Sequence, residues 1–223
     1  MKKGWKQTWK NLLFQHFEIA NTNLLNKYLP KDCTFEHFEG KFYLGLVAMN
    51  MTNVRHKAMQ NIVWFSNYNE LNVRTYIVHN NRPGVLFLSL DVDSIISILG
   101  ARILYGLPYR YSTYKPSVNS AQRVCSLRKG AIEFQTQYSV TSEPKRYKKG
   151  SFAFWATERY FFANKYLGVS FKGEIEHQPW ELSTATAHNT NLSILERYSV
   201  GKRHPEILFC KQLDVQTNSL TRI

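Results

Sequence analysis

The feature that most constrains the fold is a pair of strand-like segments joined by turn-forming residues. Residues 68–78 and 85–90 are rich in β-branched, aromatic and other apolar side chains. Residues 80–84, Asn-Asn-Arg-Pro-Gly, favour tight turns and tolerate positive φ angles. The sequence therefore predicts an antiparallel hairpin. Its second strand is apolar on both faces, which is typical of a strand that is covered from both sides.

The first strand of this hairpin alternates in character along its length. Because successive side chains of a strand point to opposite faces, one face is mainly apolar and carries Leu71, Val73, Thr75 and Ile77. The other face carries a carboxylate, an amide, a guanidinium and a phenol, from Glu70, Asn72, Arg74 and Tyr76. Two interpretations remain open. The polar row is either the wall of a polar pocket or the wet face of a half-buried sheet.

The rest of the chain is predicted to be largely β. Strands are expected at residues 34–39, 41–51, 110–115, 121–127, 131–140, 169–177, 180–188 and 206–215. Short helices are expected near 22–29, capped by Asn21 or Thr22, and at 151–156. A longer helix is expected from Asp91 or Asp93 to about residue 105.

Strands outnumber helices in this prediction, and the regular strand–helix alternation of a parallel sheet is missing. No repeat and no linker rich in Pro, Gly and Ser divides the chain, so residues 1–223 are expected to form a single domain. The predicted fold is mainly β (α+β): a curved antiparallel sheet or barrel with a few short helices.

Arg102 is an unexpected residue in the predicted helix, because it falls within the apolar arc of isoleucines and leucines. A guanidinium there must reach water with its tip or meet a carboxylate, since an unpaired buried charge is costly. Glu70 and Glu158 are the candidate partners. A structural and a catalytic role remain open for Arg102.

The chain carries 29 Lys and Arg against 16 Asp and Glu, a formal net charge of +13. The cations stand in small groups without a nucleic-acid-binding motif, which favours an ordinary solvated surface. A non-enzymatic protein that binds a polyanion, either nucleic acid or an anionic membrane surface, is the alternative function. The sequence has no apolar run of about 18 residues and no secretory signal pattern. A cytoplasmic protein without a transmembrane segment is therefore expected.

Neither a metal nor a cofactor is indicated. Cys33, Cys125 and Cys210 stand far apart, and the histidines are dispersed. This distribution fits reduced, buried thiols better than a metal site or a disulfide framework. Motifs for a phosphate-binding glycine loop, a dinucleotide or a hydrolytic triad are missing as well. The expectation is no cofactor and no metal.

Six blocks follow one another along the chain: WKNLLFxH (residues 9–16), ELNVRTY (70–76), PGVxFxSLD (83–91), ARxxxxLPY (101–109), TERY (157–160) and HxPW (177–180). Together they resemble the YqjF-like family of uncharacterised bacterial proteins. That family is grouped with the acetoacetate-decarboxylase-like fold. The resemblance therefore implies a cone-shaped or barrel-like β-structure around a small-molecule cavity.

The resemblance also shows which chemistry is missing. Acetoacetate decarboxylase places two lysines after a Gly-aromatic-Pro segment; one forms a Schiff base and the other lowers its pKa. Here Tyr109 and Arg110 stand at those positions, and neither side chain forms an imine with a ketone. What the resemblance implies is a cavity with an active-site-like glutamate, Glu70, and no Schiff-base route.

The leading hypothesis is a pocket for a small acidic or oxo compound. Arg74 or Arg102 is expected to bind its carboxylate or phosphate, while Asn72 and Tyr76 orient it. Glu158 is expected to line the same pocket.

Chemistry in this pocket stays open. Glu70 is the candidate general base, and Tyr109 or Tyr76 is the candidate acid or oxyanion donor. These residues suit a non-covalent lyase, isomerase or hydrolase. The alternatives are a binding module without chemistry, in which Glu70 is tied to an arginine, and an interaction protein whose cavity is filled by its own side chains.

Overall fold

A computed structural model describes residues 4–56, 67–95, 106–119 and 122–223, and within these ranges the chain is mainly β. The strands are β1 (Gly4–Ile19), β2 (Cys33–Phe35), β3 (Phe42–His56), β4 (Asn67–His79), β5 (Arg82–Val92), β6 (Tyr109–Tyr111), β7 (Thr113–Asn119), β8 (Gln122–Lys129), β9 (Ile132–Val140), β10 (Phe161–Tyr166), β11 (Val169–His177), β12 (Ser183–Asn191), β13 (Val200–Arg203), β14 (Ile207–Asn218) and β15 (Thr221–Arg222). They join in one curved sheet, which confirms the predicted fold class.

Part of this sheet closes on itself. Strand β1 pairs with β3 on one side and with β14 on the other. The path β1-β3-β4-β5-β10-β11-β14 therefore returns to β1 and forms a ring of seven strands. Its neighbours are antiparallel except for β5 and β10, which are parallel. From β14 the sheet continues outward through β12, β9 and β8 to β7.

The hairpin predicted from the sequence is β4 and β5. Its turn consists of Asn80 and Asn81, with φ angles of 50° and 59°. Two consecutive residues with positive φ give a turn whose twist matches that of the paired strands, and asparagine adopts this conformation more easily than most residues. Local turn chemistry therefore sets the register that fixes the row from Glu70 to Tyr76.

Strand β1 was not predicted. Its pairing with β3 shifts between Lys10 and Leu13, and Asn11 at the shift has a φ angle of 52°. Such a bulge moves the alternation of side chains by one position. Trp9 and Leu12 consequently face the same side, although one has an odd and the other an even position number. The sequence of this strand therefore lacks the regular alternation by which a strand is recognised.

Both faces of β4 are buried, each against a different hydrophobic cluster. Leu71, Val73 and Ile77 pack into an outer cluster with Leu25 of the first 3₁₀ helix and Phe134 of β9. The opposite face belongs to the cluster inside the ring, which includes Leu12, Phe14, Val47, Tyr76 and Trp180. The polar row of β4 therefore points into the ring, and the interpretation as a wet surface is wrong.

Both predicted short helices are present, and Asn21 caps the first of them, as one of its two predicted candidates. The first 3₁₀ helix, Thr22–Tyr28, is capped by Asn21, whose Oδ1 accepts a hydrogen bond from the Asn23 N–H at 2.8 Å. Helix α1, Phe152–Thr157, begins after Ser151. A second 3₁₀ helix, Ser193–Tyr198, was not predicted. The helix predicted up to residue 105 lies mostly outside the described residues. None of the helices in the described ranges is long and apolar enough to cross a membrane.

Candidate functional site

A small cavity lies inside the ring beside the polar row of β4. Its volume is about 40 Å³, which is room for a very few water molecules. Polar side chains from three places line it, together with apolar side chains of the interior cluster. They are Glu70, Asn72 and Arg74 from β4, Thr157 at the end of helix Phe152–Thr157 with Arg159 just beyond it, and His177 at the end of β11. No lysine is among the described residues that line this cavity.

Glu70 lies at one end of the row and is only 4% exposed. Its two carboxylate oxygens accept hydrogen bonds from the Asn72 amide and the Tyr109 hydroxyl, each at 3.3 Å. Burial raises the pKa of Glu70 from its usual 4.5 to about 7, because these two long hydrogen bonds do not replace the lost hydration. Burial and the neighbouring Glu70 also raise the pKa of Tyr109. The structure thus brings together Glu70 and Tyr109, two of the three candidate acid–base residues.

Arg74 occupies the middle of the row and is 7% exposed. One terminal nitrogen donates a hydrogen bond to the Ala156 carbonyl of α1 at 3.1 Å, and the guanidinium lies 5.5 Å from the Phe14 ring centre. Its Nε has no hydrogen-bond partner. None of the ion pairs among the described residues includes Arg74. The interpretation of Glu70 as the salt-bridge partner of Arg74 is therefore not supported.

Tyr76 closes the other end of the row. Its hydroxyl lies 2.6 Å from His16 Nε2, and its ring packs against Trp155 at 4.3 Å between ring centres. His16 is fully buried, and burial together with the nearby Arg74 charge lowers its pKa well below the usual value. His16 and Trp155 therefore hold Tyr76 beside Arg74, whose guanidinium lies 5.7 Å from the Tyr76 ring centre, and Tyr76 is not among the described residues that line the cavity.

Gly45 of β3 makes room for this row. It pairs with Arg74 on β4 and with His16 on β1. A Cβ atom at position 45 would lie 3.0 Å from the Tyr76 hydroxyl oxygen and 3.4 Å from Arg74 Nε. A glycine inside a strand marks a close approach of other groups to the backbone, so Gly45 is a sequence signal that pointed to this site.

Two other predicted site residues do not join the cavity in the described structure. The Glu158 carboxylate accepts hydrogen bonds from the Trp180 N–H at 3.0 Å and from the Tyr160 hydroxyl, and Glu158 does not line the cavity. It holds the segment after β11 in place. Arg102 lies outside the described residues, and its role stays a prediction.

Several residues at the cavity were not singled out from the sequence. Arg159 is buried, forms an ion pair with Glu36 and contacts the Tyr76 and Trp155 rings. His177 and Trp180 close the cavity near the end of β11. A signal for them was present, because five of the six blocks that carry the family resemblance contribute residues to the lining, from positions 9–16, 70–76, 83–91, 157–160 and 177–180.

The lining leaves polar groups without partners. In the described part of the chain, four buried atoms of lining residues have no hydrogen bond: Trp9 Nε1, Asn72 Oδ1, Arg74 Nε and Trp180 Nε1. Three of these are donors, which suits an occupant that presents acceptor oxygens. No cluster of three His, Cys, Asp and Glu side chains within metal-binding reach occurs among the described residues.

A protein-family model matches almost the whole chain. Residues 6–214 match DUF2071, a family described as an uncharacterized conserved protein. The chain belongs to the DUF2071 family. A relative of this DUF2071 protein is the uncharacterized protein YqjF of Bacillus subtilis, which is 30% identical over 215 residues. The match covers 94% of the chain and 88% of YqjF. The family resemblance recognised in the sequence is confirmed.

The DUF2071 protein shares its fold with acetoacetate-decarboxylase-like enzymes. The enduracididine biosynthesis enzyme MppR complexed with pyruvate superposes with a TM-score of 0.73 at 9% identity, over 98% of this chain and 90% of MppR. Acetoacetate decarboxylase from Legionella pneumophila superposes with a TM-score of 0.70 at 14% identity, over 98% and 86% of the two chains. At such low identities the likeness concerns the fold, which confirms the predicted acetoacetate-decarboxylase-like architecture.

Proposed function

We propose that this DUF2071 protein binds a small acidic or oxo compound inside the ring of strands, and that Arg74 receives the negatively charged group. The observation that carries the proposal is a buried guanidinium that no carboxylate neutralises. An unpaired charge in an apolar interior is costly, and proteins that keep one commonly use it. An anionic ligand would supply the missing charge.

The sequence strengthens this argument. All 16 Asp and Glu residues fall within the described ranges, so none of the remaining positions supplies a carboxylate for Arg74. In the described structure Arg74 contacts the Ala156 carbonyl oxygen and the Phe14 and Tyr76 side chains, none of which carries a full negative charge. A planar guanidinium with a free Nε is suited to bind a carboxylate through two parallel hydrogen bonds.

The neighbouring groups suit the rest of such a compound. The free donors of Trp9 and Trp180 face the same cavity as Arg74, and Glu70 and Asn72 lie next to it along β4. MppR, which shares the fold, has been solved with pyruvate bound. A small compound with a carboxylate and a second oxygen therefore suits the hydrogen-bond donors of this cavity. Pyruvate, which is bound to MppR, is a compound of this kind.

The size of the cavity sets a condition on the proposal. Pockets for small molecules usually measure about 300–1,000 Å³, whereas the cavity beside Arg74 measures about 40 Å³. A compound that binds beside Arg74 must therefore be small and must displace side chains of the lining. Binding by this mechanism predicts slow entry and a strong dependence on ligand size.

Glu70 is the proposed acid–base group if the bound compound reacts. A group with a pKa near 7 is present in both protonation states at neutral pH, which is the condition for efficient proton transfer in either direction. Tyr109 is held on the Glu70 carboxylate and serves as its hydrogen-bonding partner. The absence of lysine from the described lining favours chemistry without a Schiff base.

The test compares thermal unfolding of the protein and of Arg74→Gln with acetate, pyruvate, acetoacetate or inorganic phosphate. A compound at 100 times its Kd raises the unfolding free energy by about 2.7 kcal/mol. We expect this stabilisation in the unaltered protein and its loss in Arg74→Gln. The matched control is Arg146→Gln, because Arg146 is an exposed arginine paired with Glu181.

The unliganded Arg74→Gln protein is expected to be as stable as the unaltered protein or slightly more stable, since the substitution removes a buried charge. Two results contradict the proposal. One is that none of the four compounds shifts the transition of the unaltered protein. The other is that Arg74→Gln retains the full shift.

A further inference from the structure

His177 separates the interior cavity from two grooves on the surface. The side of the residue that faces inward lines the 40 Å³ cavity beside Arg74. The same residue lines an open groove of about 680 Å³ between Lys6 and Gln216 and another of about 430 Å³ between Arg82 and Asn218. Among the described residues, His177 alone lines all three of these hollows. This side chain therefore borders both the interior cavity and the surface grooves.

Few contacts hold the His177 ring. It stacks on Tyr160 at 4.6 Å between ring centres and meets the edge of Trp180 at 5.2 Å. Its two nitrogens face carbonyl oxygens, of Gln178 at 2.8 Å and of Arg159 at 3.4 Å. Both partners are main-chain carbonyls, and the contact with Arg159 is the longer and weaker of the two. A half-buried ring with so few contacts changes rotamer more easily than a core side chain.

We propose that His177 is the entrance residue of the interior cavity and sets the size of compound that reaches Arg74. The ring swings away from Tyr160 into one of the two grooves and opens a way into the cavity, whose lining includes Trp180 and Met49. The inference rests on the proposed function, because an entrance matters only if the cavity takes up a compound. It adds a specificity-determining residue from β11 to a site otherwise built on β4.

The test measures entry without relying on any natural ligand. Met49 lines the cavity and is 4% exposed, so Met49→Cys introduces a thiol inside it. The rate of its modification is followed by peptide mass spectrometry with methyl methanethiosulfonate and with the larger sulfonatoethyl reagent. Adding His177→Ala is expected to raise both rates at least tenfold, with the greater increase for the larger reagent. His188→Ala, at an exposed histidine of β12, is the matched control and leaves both rates unchanged.

The global unfolding rate of each variant is measured in parallel, which separates a local opening from a loosened fold. The proposal is supported if the cysteine is labelled faster than the protein unfolds and if His177→Ala accelerates this labelling. The proposal is overturned if His177→Ala leaves the labelling rate unchanged, or if labelling in every variant merely follows unfolding. Failure of the anion test at Arg74 with success of this one would refute the proposed ligand but not the entrance.

Discussion

Glu70 shows how burial sets the chemistry of a single residue in this protein. The carboxyl group is enclosed by Asn72 and Tyr109, whose hydrogen bonds of 3.3 Å are too long to offset the loss of water. Its pKa rises to about 7 in the folded protein, while the unfolded chain keeps the usual value of 4.5. Between these two values the folded state holds a proton that the unfolded state has lost.

Glu70 is therefore predicted to lower stability as the pH rises. The contribution of the protonated carboxyl is fully present below pH 4.5 and is lost as the pH approaches 7. The loss amounts to about 3 kcal/mol, because each pKa unit corresponds to about 1.4 kcal/mol. Glu70→Gln keeps the shape without the charge and should become the more stable protein above pH 7. Urea unfolding of both proteins from pH 4.5 to 8 measures the difference.

His16 acts in the opposite direction and must be kept in mind when these curves are read. Its pKa is lowered by burial and by the Arg74 charge, so stability falls as the pH drops below 6.5 and the unfolded chain takes up a proton. The comparison between Glu70→Gln and the unaltered protein cancels this shared effect. A stability difference that stays constant across the whole pH range would contradict the assignment to Glu70.

At the scale of elements, helix α1 supports the site through its backbone. Its Ala156 carbonyl accepts the hydrogen bond of Arg74, and Arg159 follows directly after the helix. The helix has only six residues, too few to be stable alone, so its start depends on the Ser151 cap. Ser151 Oγ accepts from the Phe154 N–H at 3.3 Å and donates to the Lys148 carbonyl at 2.8 Å.

Ser151→Ala is expected to cost about 1 kcal/mol of stability, since it removes the cap. Ser151→Asp keeps an acceptor for the Phe154 N–H and should recover most of this loss. Chemical denaturation of the three proteins checks the order. An alanine variant as stable as the unaltered protein would show that packing of Phe152 and Ala153, rather than the cap, fixes the helix.

At the scale of the whole molecule, the closed ring depends on its first strand. Strand β1 pairs with β3 and β14, so residues from the two ends of the chain meet across it. Leu12 and Phe14 of β1 are completely buried in the interior cluster. Without β1 the ring would be open, and two long strand edges and the interior would face water.

Removal of residues 1–19 is therefore predicted to abolish cooperative folding, whereas removal of residues 219–223, which include only the short strand β15, should leave a folded protein. Near-ultraviolet circular dichroism and urea unfolding distinguish the two outcomes. A sharp unfolding transition in the chain that lacks β1 would contradict the importance of ring closure. Unfolding of the complete chain in a single transition would support the single-domain prediction, which is otherwise untested.

Features that depend on neighbouring residues were predictable from the order of residues. The hairpin of β4 and β5 follows from alternation and from Asn80 and Asn81, and the start of the first short helix follows from Asn21. The family followed from short blocks of residues. The face shared by Glu70, Asn72 and Arg74 was predictable because the side-chain period of a strand is a local property.

The neighbours of these side chains depend on how distant parts of the chain pack together. Strand β1 was not predicted, because the bulge at Asn11 breaks its alternation of apolar and polar residues. For the same reason, the position of His16 on this strand was not predicted. The sequence did not indicate that the outer cluster covers β4, which is why the direction of the polar row remained open. The lack of a carboxylate at Arg74 and the place of His177 between cavity and surface depend on residues far apart in the chain. Burial and charge pairing arise from all neighbours in space, and no local pattern encodes them.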